Sequence, residues 1–233
     1  MAYTRPLAAV EARILGALME KERTTPDLYP LTVAALLQAC NQKTSREPVT
    51  DYSETEVVEA LDRLRADALV FRVHGSRSER YEHCLDRRWH LDTAGAAAIV
   101  AMLLLRGAQT VAELRARTAR LHPFDSTEQV EATLARLAAG EDALARELPR
   151  QPGQRETRWI HLAGTPEVER DLMAGGHLSA AQEPPPGLAP RREPAAGAAG
   201  TPTAQVNERL ERLEAAVTEL HAAMAELRSR LGE

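Results

Sequence analysis

Three groups of side chains in this chain can donate hydrogen bonds to an anion or a base edge. The first is the polar run Asn41-Gln42-Lys43-Thr44-Ser45-Arg46, in which Asn41, Gln42, Lys43 and Arg46 carry amide, ammonium and guanidinium donors. The other two are arginines spaced along short stretches: Arg72, Arg77 and Arg80, then Arg150, Arg155 and Arg158. Lys and Arg neutralise phosphates, and Arg, Lys, Asn and Gln read base edges in a groove. The chemistry on offer is therefore non-covalent recognition. The plain alternative is a set of ordinary solvated loop and hairpin charges, some paired with Glu79, Glu82 and Glu156.

Residues for covalent chemistry are sparse. Cys40 ends an apolar helical stripe and reads as core. His83 and Cys84 are adjacent, so on a strand they point to opposite faces, and neither has a partner at ligand spacing. His74, His122 and His161 are isolated and read as surface or hairpin residues. Zinc spacing, a Gly-rich phosphate loop and a nucleophile elbow are all missing from the sequence. No catalysis, metal, cofactor or small-molecule site is expected. Two cysteines fit reduced thiols in a reducing compartment.

The elements that must position these donors are stated twice. Ser53-x-x-x-Val57-x-x-x-Leu61-x-Arg63-Leu64 recurs 73 residues later as Ser126-x-x-x-Val130-x-x-x-Leu134-x-Arg136-Leu137. Each copy runs into a short apolar stretch, a loop, and a second stretch holding an Arg-aromatic pair, Arg80-Tyr81 or Arg158-Trp159. Ser53-x-x-Glu56, Thr110-x-x-Glu113 and Ser126-x-x-Gln129 read as capping boxes that open helices. Helices are expected over residues 7–21, with Leu7, Val10, Ile14, Leu15 and Leu18 on one face, and over residues 31–40. Another contains Ile99, Met102 and Leu103 and stops at Arg106-Gly107. Strand pairs are expected at Leu69–Val73 with Arg80–His83, and at Leu144–Leu148 with Arg158–His161. Helix, helix, helix and hairpin, twice over, is the order of a winged-helix domain. The fold class is therefore α+β, mainly helical, with two tandem winged-helix (helix-turn-helix) domains at 1–91 and 92–164.

Seven of the chain's fourteen prolines lie between Thr165 and Pro202, so residues 165–204 read as an Ala/Pro-rich disordered linker, with some helix near 166–174. Val206, Leu210, Leu213, Val217, Leu220, Met224, Leu227 and Leu231 alternate four and three apart. That is the a/d stripe of a coiled-coil helix over 205–233, and a homodimer is the simplest way to bury it.

The strings Cys40-Asn41-Gln42-Lys43-Thr44-x-Arg46-Glu47-Pro48-Val49 and Leu103-Leu104-Leu105-Arg106-Gly107-Ala108-Gln109-Thr110-x-x-Glu113-Leu114-Arg115 resemble the YceH-like family of uncharacterised bacterial proteins. Glu11-Ala12-Arg13-Ile14-Leu15-Gly16 and Glu20-Lys21-x-x-Thr24-Thr25-Pro26 fit as well, and the match covers about residues 7–163. The resemblance implies paired winged helices and implies no activity.

Charge complicates the functional reading. Residues 1–91 hold 13 basic against 14 acidic side chains, residues 92–163 hold 9 against 9, and residues 164–233 hold 7 against 11. A dedicated nucleic-acid binder shows a basic excess. The third helix of the first repeat, which would enter the major groove, carries Glu54, Glu56, Glu59, Asp62 and Asp67 against Arg63 and Arg65. Two readings follow. One is a dimeric DNA-associated transcriptional regulator that touches backbone through its hairpins and the Asn41–Arg46 loop. The other is a non-catalytic scaffold whose winged helices bind protein. No apolar run reaches the ~20 residues of a membrane span, and the N-terminus lacks a signal-like apolar core, so a cytoplasmic location is expected.

Overall fold

Ser53 and Thr110 start their helices as their spacing predicts. Each hydroxyl accepts the amide three residues on, while Glu56 and Glu113 reach back to accept the amides of Ser53 and Thr110. At Ser126 only half of the expected box forms. Its hydroxyl accepts from Gln129 N, but Gln129 Oε1 accepts from Asp125 N, one residue earlier than the box requires.

The computed structural model describes residues 5–74, 78–150 and 153–175, and these lie in one compact unit. The order is α1 (Ala9–Thr24), a 3₁₀ turn (Pro26–Leu28), α2 (Val33–Cys40), α3 (Glu54–Ala66), β1 (Val70–His74), β2 (Glu79–His83) and a one-turn α4 (Leu85–Arg88). Then come α5 (Ala94–Arg106), α6 (Val111–Thr118), α7 (Thr127–Leu137), β3 (Ala145–Leu148), β4 (Arg158–His161) and α8 (Pro166–Gly175). The protein is mainly helical α+β, with two small antiparallel hairpins, β1–β2 and β3–β4. The residues from 176 onward, including the expected linker and the heptad positions from Val206 to Leu231, lie outside the described residues.

The helix expected from residue 7 begins at Ala9. Leu7 is buried ahead of it in an extended segment, its N–H donating to Ala163 O and its carbonyl accepting from Thr165 N. This extended segment therefore ties the approach to α1 to the residues after β4. The helix containing Ile99 stops where expected. Gly107 caps α5 at φ 68° and ψ −140°, a conformation that disfavours any residue with a Cβ.

α5 is apolar on every side and buried from Gly95 to Leu105, which suits a helix surrounded by protein. Its main partner is α1. The two helices meet tightly at Gly16, where an added Cβ would sit 2.8 Å from Leu105 Cγ and 3.0 Å from Leu104 Cβ. One continuous core runs from Leu7 to Ala163, through Ile14, Leu18, Leu61, Ile99, Leu103 and Leu134. The helix that begins the second repeat thus completes the core of the first.

Candidate functional site

The Asn41–Arg46 run lies at the C-terminal end of α2, where four carbonyls lack intrahelical partners. Arg46 turns inward after Ser45, which holds a left-handed φ of 60°. It is 5% exposed. Its Nε donates to Ala39 O at 2.9 Å, and its two terminal nitrogens reach the Glu20 carboxylate at 3.2 and 2.6 Å. A second buried guanidinium, Arg13, donates to Cys40 O at 3.2 Å and to Pro48 O at 2.6 Å. Burial lowers the Arg13 pKa, which the nearby charge of Arg46 reinforces. Two cations from outside the helix thereby cap α2.

The other members of the run share this work. Asn41 braces the loop, donating to Tyr52 O and accepting from Tyr52 N, both at 2.8 Å. Gln42 Oε1 accepts from Lys21 and from Arg46. Glu47 N donates to Leu105 O, which fastens the loop to α5. Of the four candidate donors here, Lys43 alone is exposed. Cys40 is core, as its place on the apolar stripe implies, and burial pushes its thiol up to about 12.

The hairpin arginines divide in the same way. Tyr81 exchanges both backbone hydrogen bonds with Leu31, the residue before the α2 N-cap Thr32. Arg80 beside it donates to Pro30 O at 2.7 Å. The second repeat matches atom for atom. Trp159 exchanges backbone bonds with Gln109, just before the α6 N-cap Thr110, and Arg158 donates to Ala108 O at 2.8 Å. The Arg-aromatic pair is therefore a staple that joins each hairpin to the start of its second helix. Arg158 also pairs with Glu113 at 3.1 Å, and Arg72 pairs with Glu79 at 2.8 Å. Arg150 and Arg155 are exposed, and Arg77 lies outside the described residues.

One histidine departs from its expected place, and another gains a partner distant in sequence. His161, read as a surface or hairpin residue, is on β4 but only 3% exposed. Burial depresses its pKa to about 4, and its Nδ1 has no hydrogen-bond partner. His83, which has no partner at ligand spacing along the sequence, meets Glu22 at 3.1 Å across 61 residues. Leu85 N donates to His83 Nδ1, so the neutral ring carries its proton on Nε2, toward the Glu22 carboxylate. The hydrogen bond from His83 holds Glu22 below the ordinary carboxylate range. No cluster of three or more His, Cys, Asp or Glu side chains able to hold a metal occurs among the described residues.

The exposed face of α3 is acidic. Glu54, Glu56, Glu59 and Asp62 are exposed, and so is Val58 between them. Arg63, their basic neighbour, is held at 2.8 Å by the buried Glu11. Burial would raise the Glu11 carboxyl, but hydrogen bonds from Arg5, Arg63 and Ala8 N override that and lower it. α7 carries Glu128 and Glu131, with Ala132, Ala135 and Arg136 exposed beside them.

These features define a mainly helical protein with two repeated helix-and-hairpin units. The family model described as "Protein of unknown function, DUF480" matches residues 7–154. The chain belongs to that family. It is 45% identical over 236 aligned residues to a UPF0502 protein of Dechloromonas aromatica, an alignment spanning 100% of this chain and 98% of the relative. It is 44% identical to a UPF0502 protein of Paraburkholderia phymatum, over 97% of this chain and 94% of the relative. No helix among the described residues is long and apolar enough to cross a membrane.

Proposed function

We propose that this chain is a non-catalytic, cytoplasmic interaction protein. Its two repeats are winged helices that bind protein through the exposed faces of their third helices. One observation carries this reading. α3, the helix that would have to enter a DNA groove, exposes Glu54, Glu56, Glu59 and Asp62, while Arg46, Arg80 and Arg158 are bonded to carbonyls within the protein. An acidic helix repels phosphate, and a guanidinium already bonded to buried carbonyls cannot release counterions from DNA. The heptad stripe from Val206 to Leu231 would pair two copies, doubling the number of docking faces.

A second reading, a DNA-associated regulator, draws support from Lys43, Arg150 and Arg155, which remain exposed. Titration with random duplex DNA at ~50 and ~200 mM salt separates the two. The protein-binding reading expects no salt-sensitive complex at the lower concentration. Tight binding that weakens steeply with salt, and weakens again in Lys43→Ala or Arg150→Ala, would replace it with the DNA reading. A photo-crosslinker at Val58 is expected to capture protein and no nucleic acid. Deletion of residues 205–233 is expected to turn a dimer into a monomer by light scattering, and a monomeric full-length chain removes the pairing claim.

A further inference from the structure

A pocket of about 390 Å³ opens between the start of α5, the turn at His122–Phe124, and α7. Small-ligand sites begin near this size. Ala94, Gly95, Phe124 and Ala132 give it apolar walls. Phe124 is almost fully buried, fixed by the edge of the His122 ring at 4.7 Å between centroids. Gly95 lets the tip of that ring approach α5 closely, since an added Cβ there would come within 2.9 Å of Phe124 Cζ. One wall thus carries a rigid aromatic surface with no hydrogen-bonding demand.

The polar groups around this pocket are unequal. The Thr93 hydroxyl is used by Ala96 N, the Thr133 hydroxyl donates to Gln129 O, and the Gln129 amide is held by Asp125. The Arg136 guanidinium and the His122 ring nitrogens have no hydrogen bond or ion pair with a described residue. Arg136 is therefore the one full positive charge on the pocket wall that is free to take a ligand. The Asp125 carboxylate lies one side chain away, behind Gln129. A single cation with a carboxylate behind it matches a monoanion and opposes a dianion such as phosphate.

We propose that this pocket binds a small monocarboxylate with a flat aromatic or branched apolar body. The carboxylate would pair with Arg136, and the body would lie against Phe124 and Ala132. The proposal does not depend on whether the partner of α3 is protein or DNA. Because Arg136 belongs to α7, a bound acid would also change the charge that this helix presents.

Benzoate is a suitable probe, with benzyl alcohol as its neutral analogue and inorganic phosphate as the competing anion. Titration of the full chain, followed by calorimetry and ligand-observed NMR, should show saturable benzoate binding on the order of millimolar, as expected for a fragment of this size. Arg136→Met should weaken it at least ~10-fold, the scale of a lost charge-assisted pair. Ala132→Phe should abolish it by filling the pocket, and Arg120→Met, in the exposed turn after α6, should leave it unchanged. Benzyl alcohol and phosphate should not compete. Non-saturable benzoate binding, equal binding of the alcohol, indifference to Arg136→Met, or displacement by phosphate at equal concentration would each overturn the assignment.

Discussion

The two repeats share one topology and join their second and third helices in different ways. In the first, the connection from Asn41 to Ser53 wraps two buried guanidiniums, Arg13 and Arg46, that cap α2 from outside. In the second, the connection is shorter and closes on itself. Leu121 N and His122 N both donate to Thr118 O, and the Thr118 hydroxyl donates back to Leu114 O. The first repeat consumes its donors to hold its shape. The second satisfies its backbone locally and leaves Arg120 and Arg136 in solvent. A donor-rich sequence therefore does not mark a donor-rich surface. What matters is whether the helix end beside it already has partners.

The largest effect expected from this contrast is at Arg46. Removing its charge leaves the largely buried Glu20 carboxylate with only the Lys21 ammonium, at 3.6 Å, a loss toward the lower end of roughly 3–5 kcal/mol. Urea unfolding of Arg46→Met should show this, and Glu20→Met added to it should restore part of the stability. A loss below about 1 kcal/mol for Arg46→Met would mean that the loop is not an internal brace, and its donors would return to the candidate surface.

The second repeat carries the next effect, at His161. Its pKa is about 4 in the folded chain and about 6.5 in an unfolded one, so below about pH 6.5 the unfolded state takes up a proton that the folded state refuses. Stability is unpenalised above that pH, falls as pH drops toward 4, and levels off beneath it. The span is on the order of 3 kcal/mol. His161→Leu should flatten this portion of the stability curve measured by urea unfolding between pH 7 and pH 4. A curve identical to the parent's would show that the ring reaches water.

The smallest effect tests where the repeats agree. Arg80→Met and Arg158→Met each remove one staple to a carbonyl, and each should cost about 1–2 kcal/mol. Arg158 additionally loses Glu113, so it should be the more costly of the two in thermal unfolding. The reverse order would mean that the β1–β2 staple carries more of the fold than its single strong bond suggests.

Local signals are legible in the sequence. The capping boxes at Ser53 and Thr110, the Gly107 stop and both hairpins follow from interactions within a few residues, so spacing alone finds them. The half-formed box at Ser126 shows the limit even there, since Gln129 had a competing amide one residue away. The candidate site was less legible. Arg80 and Arg158 repeat visibly, but the carbonyls they bind are 50 residues distant in each case. The pocket beside Arg136 left no mark, because Thr93, Phe124 and Ala132 meet only in space.

By itself the sequence determined the longer helices, the strands, their doubled order and the acidic character of α3, because periodicity and capping depend on near neighbours; the one-turn α4 carries no such pattern. Only the tertiary structure decided which charges face inward. Arg13, Arg46, Glu11 and His161 have the side chains of surface residues and the burial of core residues. A charge can lie there when a distant group offsets its desolvation, as Glu20 does for Arg46. Bringing such groups together is a property of packing, in particular of α1 against α5, and no local pattern records it.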